Sequence, residues 1–210
     1  MSGFIKKFWE NCNTNFAHIE ISGHLKNLAS LRKFWKDSFI NRIDFSNKVV
    51  AEYGIGGGYL GELLFEEYDI KKYHGIDISE RSLKESNKRL SKFHRYNLMN
   101  SDFYYNSFSE EIDVFVSQAV IQHFPDKKYL DNFLYKLKSL SPQTIMLQIA
   151  HKKENLFVKN NNYKSTKDVV RACYTNSKYI NSILDYSITF ESDVHKKNNY
   201  QFIIFEKCKK

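Results

Sequence analysis

The 210-residue sequence predicts an α/β fold: a doubly wound sheet, mostly parallel, ending in an antiparallel C-terminal hairpin and preceded by an N-terminal helical cap. Three observations predict it. From residue 48 onward, short apolar runs alternate with segments of helical periodicity. Five of the eight glycines fall at Gly54, Gly56, Gly57, Gly58 and Gly61, directly behind the first such run. The last two runs are joined by a connection too short for a parallel crossover, so they must pair antiparallel. A chain of this length holds one generous core, so residues 1–210 are read as a single domain, with 1–46 as the cap and 47–210 as the sheet-bearing core.

Residues 1–46 show no strong strand pattern. His24 to Ile43 places Leu25, Leu28, Leu31, Trp35 and Phe39 at near-helical spacing, and this segment packs either against the core or over its ligand site. Lys48 to Tyr53 reads as a buried strand, Gly58 to Tyr68 as a helix, and Lys72 to Ile76 as a second strand. Glu80 to Phe93 is a helix started by Ser79 as N-cap. Tyr96 to Met99 and Ile112 to Ser117 are the third and fourth strands, and Asp126 to Leu140 a helix with Leu130, Phe133, Leu134 and Leu137 on one face. Pro142 breaks the chain before a fifth strand, Thr144 to Ile149. His151 to Lys164 reads as a loop and Asp168 to Leu184 as a helix, whole or broken. Tyr186 to Glu191 and Tyr200 to Glu206 form the hairpin.

The charge is +8 with neutral histidine, which suits anionic partners and equally suits a solvated surface. The three cysteines are far apart, with no Cys-x-x-Cys pair, which fits a reducing, cytoplasmic compartment. Lysines interrupt the apolar residues of Met1 to Glu10, unlike a signal peptide, and no stretch approaches the roughly 20 apolar residues of a membrane helix.

Glycine takes positive φ cheaply and lets a backbone lie against a ligand, so the cluster marks a binding loop. It supports two registers. Gly56, Gly58 and Gly61 fit Gly-x-Gly-x-x-Gly, a dinucleotide fingerprint that would suit an NAD(P)-dependent oxidoreductase. Glu52, Gly54, Gly56 and Gly58 fit Glu-x-Gly-x-Gly-x-Gly. An acid at Glu52 would repel a pyrophosphate, which favours the second register. Asp77 ends the second strand 21 residues beyond Gly56, where a carboxylate accepts from both hydroxyls of a ribose. It could instead cap the next helix, although Ser79 is better placed for that.

The second register, followed by Asp77 and by Ile112-Asp113-Val114-Phe115-Val116-Ser117-Gln118 with Ile121-Gln122-His123-Phe124-Pro125, resembles class I S-adenosylmethionine-dependent methyltransferases of the small-molecule type. The resemblance covers residues 48 to about 150 and implies a Rossmann-like core with S-adenosylmethionine as cofactor. It implies that Gly54, Gly56 and Gly58 pass under the cofactor's methionine portion, with Gly57 and Gly61 left for the turn and for helix packing. Glu52 would order the loop or engage the cofactor's amino group through water. Ile78 would lie against the adenine, and Asp102 with Phe103 would hold it, Tyr104 and Tyr105 being alternative walls. Ser117 and Gln118 would border the transferred methyl.

Departures from related patterns narrow the acceptor. Base-methylating nucleic-acid enzymes carry Asp or Asn, then Pro-Pro and an aromatic, where this chain has Ser117-Gln118-Ala119-Val120, which argues against nucleic acid. No acidic cluster suggests a metal. His123 is the candidate base for a hydroxyl acceptor, or else a residue that shapes the pocket; His18, His24 and His151 are alternates. Size and charge suit O-methylation of a small polar acceptor, such as a glycan, a surface-polysaccharide precursor or a phosphorylated group. A non-catalytic cofactor-binding subunit is the third reading. Oligomeric state is not encoded.

Overall fold

The computed structural model describes residues 3–11, 27–101, 108, 110–157, 173–195 and 199–208. The chain forms two compact units, Ser2–Glu110 and Glu111–Lys210.

In the first unit, β1 (Val49–Tyr53), β2 (Lys72–Asp77) and β3 (Tyr96–Asn100) form a parallel ladder in the order β3-β2-β1. Tyr53 pairs with Ile76, and Asp77 with Asn100. Every residue of β1 is buried, as expected of a strand covered on both faces. Around the ladder lie α1 (Gly3–Asn11), α2 (Leu28–Ser38), α3 (Tyr59–Glu67) and α4 (Glu80–Leu90). Among the described residues, the expected cap contains two α-helices with different attachments. α2 buries Leu31 and Trp35 and binds α3 through Arg32 to Glu62 and Glu66, and through Lys36 to Glu67. α1 reaches the start of α4, where the Glu10 carboxylate accepts the Glu80 backbone N–H at 2.8 Å.

In the second unit, β4 (Val114–Ser117) pairs parallel with β5 (Thr144–Ala150), and β5 pairs antiparallel with β9 (Tyr200–Glu206). β8 (Ser187–Glu191) completes the expected hairpin, with a bulge between Ile188 and Phe190. α5 (Lys127–Leu140) is capped by Asp126, whose side chain accepts the Tyr129 N–H at 2.7 Å. Two expectations need correction. The loop after β5 contains β6 (Leu156–Phe157), which pairs antiparallel with β7 (Cys173–Tyr174), inside the segment expected to be helical. The helix α6 spans only Ser177–Leu184, because the Asn176 side chain caps its start by accepting the Tyr179 N–H at 2.9 Å. Among the described residues, no helix is long and apolar enough to cross a membrane.

Candidate functional site

In the first unit the glycine loop leaves β1 at Gly54 and enters α3 at Tyr59. Gly54, Gly56 and Gly58 all have positive φ, at 85°, 54° and 77°. An L side chain at any of the three would be strained, so the alternate glycines follow from the backbone path. Gly54 and Ile55 donate their N–H groups to the Ile76 carbonyl, anchoring the loop on β2. The Ile55 side chain folds over Gly75, where a Cβ would come within 2.3 Å of Ile55 Cδ1. Gly61 meets its expectation as a packing residue: a Cβ there would lie 2.6 Å from Cζ of Tyr73.

Asp77 joins the loop to the end of β2. Its carboxylate accepts from the N–H of Gly56 at 2.9 Å and from the N–H of Ser79 at 2.9 Å. Burial pushes its pKa up to about 6, opposed by the backbone N–H groups of Ser79, Gly56 and Ile78, while the nearby Glu10 adds to the rise. A carboxylate offers about four acceptor sites, more than the backbone N–H groups fill, so Asp77 can still accept from a ribose hydroxyl. Helix capping at this turn falls to Ser79, whose Oγ accepts the Ser82 N–H, so Asp77 is not the cap. Ile78 follows at half-burial.

Glu52 reaches the loop through another side chain. Its side chain lies buried and accepts a short hydrogen bond from the Tyr73 hydroxyl. Burial lifts its pKa to about 8, the Tyr73 hydrogen bond opposes this, and the Asp77 charge adds to the rise. The free protein at neutral pH therefore holds Glu52 largely protonated, and its link to the loop runs through Tyr73, which packs on Gly61. Asp102 and Phe103, with Tyr104 and Tyr105, lie outside the described residues, as do His18 and His24.

In the second unit, Ser117 ends β4 fully buried and Gln118 follows at 8 % exposure. Ala119 then adopts φ 56°, a left-handed position that costs a residue with a Cβ roughly 1–2 kcal/mol. Such strain marks a turn that the surroundings over-determine. The chain continues into a 3-10 turn, Ile121–His123, in which Gln122 and His123 are both buried. Gln122 Nε2 stands 3.5 Å from His123 Nε2. The turn packs against β5 and β7. Gln148 of β5 is also buried, and the side-chain oxygens of Gln122 and Gln148 have no hydrogen-bond partner among the described residues. His151 is tied elsewhere, its Nδ1 3.0 Å from Oε1 of Gln201.

The structure thus brings the glycine loop and Asp77 together in one unit through the Gly56 N–H, and places Ser117, Gln118 and His123, all buried, in the other. Sequence reasoning missed Tyr73 as the partner of Glu52, and Ser86 and Arg89 of α4, which bond the loop. Their signal was weak: two polar residues three apart on the helix after Asp77.

A loop with three left-handed glycines and a carboxylate at the next strand end is suited to receive a nucleoside-bearing ligand. Residues 51–142 match a family model described as a methyltransferase domain. No curated protein sequence matches. Among solved structures, magnesium protoporphyrin IX methyltransferase from Synechocystis PCC 6803 with bound S-adenosylhomocysteine aligns with 99% of this chain and 95% of its own, at 18% identity and a TM-score of 0.64. The N-methyltransferase NodS from Bradyrhizobium japonicum WM9 aligns with 92% of this chain and 99% of its own, at 13% identity and a TM-score of 0.61. The methyltransferase domain of bacterial CtHen1 aligns at 21% identity over 85% of this chain and 96% of its own, with a TM-score of 0.57. These likenesses show the class I methyltransferase fold. Residues 51–142 are thus similar in sequence to a methyltransferase domain, and the chain shares the fold of solved S-adenosylmethionine-dependent methyltransferases. The match favours the methyltransferase reading over the nicotinamide alternative. In such a fold S-adenosylmethionine would supply a methyl group on a sulfonium already activated for displacement, and the chain's own residues would chiefly have to bind, orient and, for a hydroxyl, deprotonate.

Proposed function

We propose that the protein is an S-adenosylmethionine-dependent methyltransferase that O-methylates a small, hydroxyl-bearing polar acceptor, such as a sugar of a glycan, a surface-polysaccharide precursor or its phosphorylated form. The observation that carries this reading is the pair of buried amide oxygens, Gln122 Oε1 and Gln148 Oε1, without protein partners among the described residues. A buried acceptor left unsatisfied costs about 1–3 kcal/mol, which donor groups on a ligand would recover. Sugar hydroxyls are such donors. In this reading Gly54, Gly56 and Gly58 hold the methionine portion of the cofactor, Asp77 its ribose and Ile78 with Asp102 and Phe103 its adenine. Ser117 and Gln118 border the transferred methyl, and His123 takes the proton from the acceptor hydroxyl.

Incubation with radiolabelled S-adenosylmethionine and a panel of sugars, nucleotide sugars, sugar phosphates, amines and oligonucleotides tests it. The expected result is label on a hydroxylated small acceptor, lost by about 10²-fold or more in His123→Ala, the usual scale of general-base catalysis. Label on an amine or an oligonucleotide instead would overturn the acceptor assignment.

A further inference from the structure

α4 does more than cover the sheet: two of its side chains grip consecutive carbonyls of the glycine loop. Ser86 Oγ donates to the Gly56 carbonyl at 2.7 Å, and Arg89 Nε donates to the Gly57 carbonyl at 2.8 Å. Arg89 is itself fixed on two further sides. Its guanidinium lies 3.7 Å from the centre of the Tyr59 ring, and its Nη1 stands 3.2 Å from Glu62 Oε2. Glu62 is buried at the start of α3 and also pairs with Arg32 of α2 at 3.1 Å and with Lys92 at 3.0 Å. The helix and loop approach so closely that a Cβ on Gly58 would lie 3.2 Å from Cα of Ser86.

We propose that Ser86 and Arg89 are positioning residues that hold the glycine loop in its cofactor-receiving shape, with Glu62 anchoring Arg89. The physical reason lies in the loop's composition. Glycines lose more conformational freedom on ordering than any other residue, so a loop built on them is loose unless its carbonyls are held. Asp77 holds the loop from the N–H of Gly56, while Ser86 and Arg89 hold it from the carbonyl side of the same turn. With both sides fixed, the loop meets the ligand without paying its ordering entropy at binding. The arrangement also explains why an arginine stands at position 89: donation through Nε while Nη1 faces a carboxylate needs the planar fork, which lysine lacks.

The proposal rests on the methyltransferase reading, in which this loop serves the amino-acid end of the cofactor and Asp77 serves the nucleoside end. Titration calorimetry of the full chain with S-adenosylhomocysteine and, separately, with adenosine tests it. Wild-type protein that binds neither ligand would overturn the reading of the site itself. Given wild-type binding, Ser86→Ala and Arg89→Ala are each expected to weaken S-adenosylhomocysteine about tenfold, or about 1.4 kcal/mol, while adenosine changes less than twofold. Arg89→Lys keeps the charge and is expected to recover less than half of the loss, measured as free energy. Glu62→Gln, which leaves Arg89 in place without its anchor, gives a milder variant should Arg89→Ala fold poorly, and is expected to show the same selective loss. Lys88→Ala, on the exposed side of α4, serves as the control and is expected to bind both ligands as the wild type does. Equal weakening of both ligands, or of neither, would overturn the positioning role and leave Arg89 as a packing residue.

Discussion

Single residues of the loop carry consequences that can be measured without knowing the acceptor. Asp77 holds its proton to about pH 6 in the free protein, chiefly because it is buried. Ribose hydroxyls donate better to a carboxylate than to an acid, so S-adenosylhomocysteine affinity is expected to rise as pH increases through about 6 and then level off. Asp77→Asn should weaken binding and remove that pH dependence, and calorimetry between pH 5 and 8 checks both. Glu52 acts on stability instead. Its carboxyl gives up its proton near pH 4.5 when unfolded and only near pH 8 when folded, so between those values the native state binds more protons. The stability that Glu52 contributes is therefore present at low pH and lost as pH rises toward 8. The Asp77 window ends near pH 6, and His74, whose pKa burial lowers, contributes alike to wild type and Glu52→Gln, so between pH 6 and 8 the difference between the two reports Glu52. Urea unfolding midpoints of wild type should fall across that interval, and those of Glu52→Gln should fall less. At Gly61 the issue is space: alanine would press a methyl into the Tyr73 ring, and overpacking of this kind costs about 1–3 kcal/mol. A lowered Tm for Gly61→Ala, with S-adenosylhomocysteine binding retained at low temperature, would separate this packing position from Gly58, where alanine should impair binding.

At the scale of elements, what was legible in the sequence was whatever a local rule specifies. Ser79 caps the helix it was expected to cap, and Asp126, read as the first residue of its helix, caps that one, because a short polar side chain before an amphipathic run satisfies orphan N–H groups wherever the helix packs. β6 and β7 were not legible: two-residue strands are too short to show a period, and Cys173 is buried in a place that only tertiary structure defines. The Asn176 cap did carry a signal for the true start of α6, one that an apolar pattern beginning at Asp168 obscured. The alternate glycines of the binding loop and the acid at Asp77 were readable because backbone conformation demands the first and strand-end chemistry the second. The Glu52 to Tyr73 bond was not, since it joins residues on two strands whose register is set only on folding. The role of α1 was equally hidden. Glu10 crosses 70 residues of sequence to receive the Glu80 N–H, placing a negative charge at the positive end of α4 beside Asp77. Glu10→Ala is expected to cost about 0.5–1 kcal/mol and to speed amide exchange at Glu80 and Arg81 while leaving α5 unchanged.

Over the whole molecule, these elements divide the labour between the two compact units. The residues proposed to hold the cofactor through its methionine and ribose, Gly54, Gly56, Gly58 and Asp77, belong to Ser2–Glu110, as do the side chains that grip the loop. The buried polar group of Gln118, Gln122, His123 and Gln148 belongs to Glu111–Lys210. A ligand that binds only the native state stabilises it by about 2.7 kcal/mol at a hundredfold excess over Kd, but that gain need not spread evenly. Local opening is governed by the contacts each segment makes, so protection should appear where the ligand closes a loop rather than where hydrogen bonds are already complete. Saturating S-adenosylhomocysteine is accordingly expected to slow amide exchange most over residues 54–58 and 77–89. The β8–β9 hairpin, whose ladder is formed without ligand, should exchange as before. The orphaned Gln122 and Gln148 oxygens should likewise remain a liability until an acceptor binds. Replacing Gln148 by leucine removes one of them, so Gln148→Leu is expected to raise the Tm of the free protein while lowering turnover of any hydroxylated acceptor. A variant that loses both stability and turnover would show instead that the amide is already satisfied in the folded protein and serves packing alone.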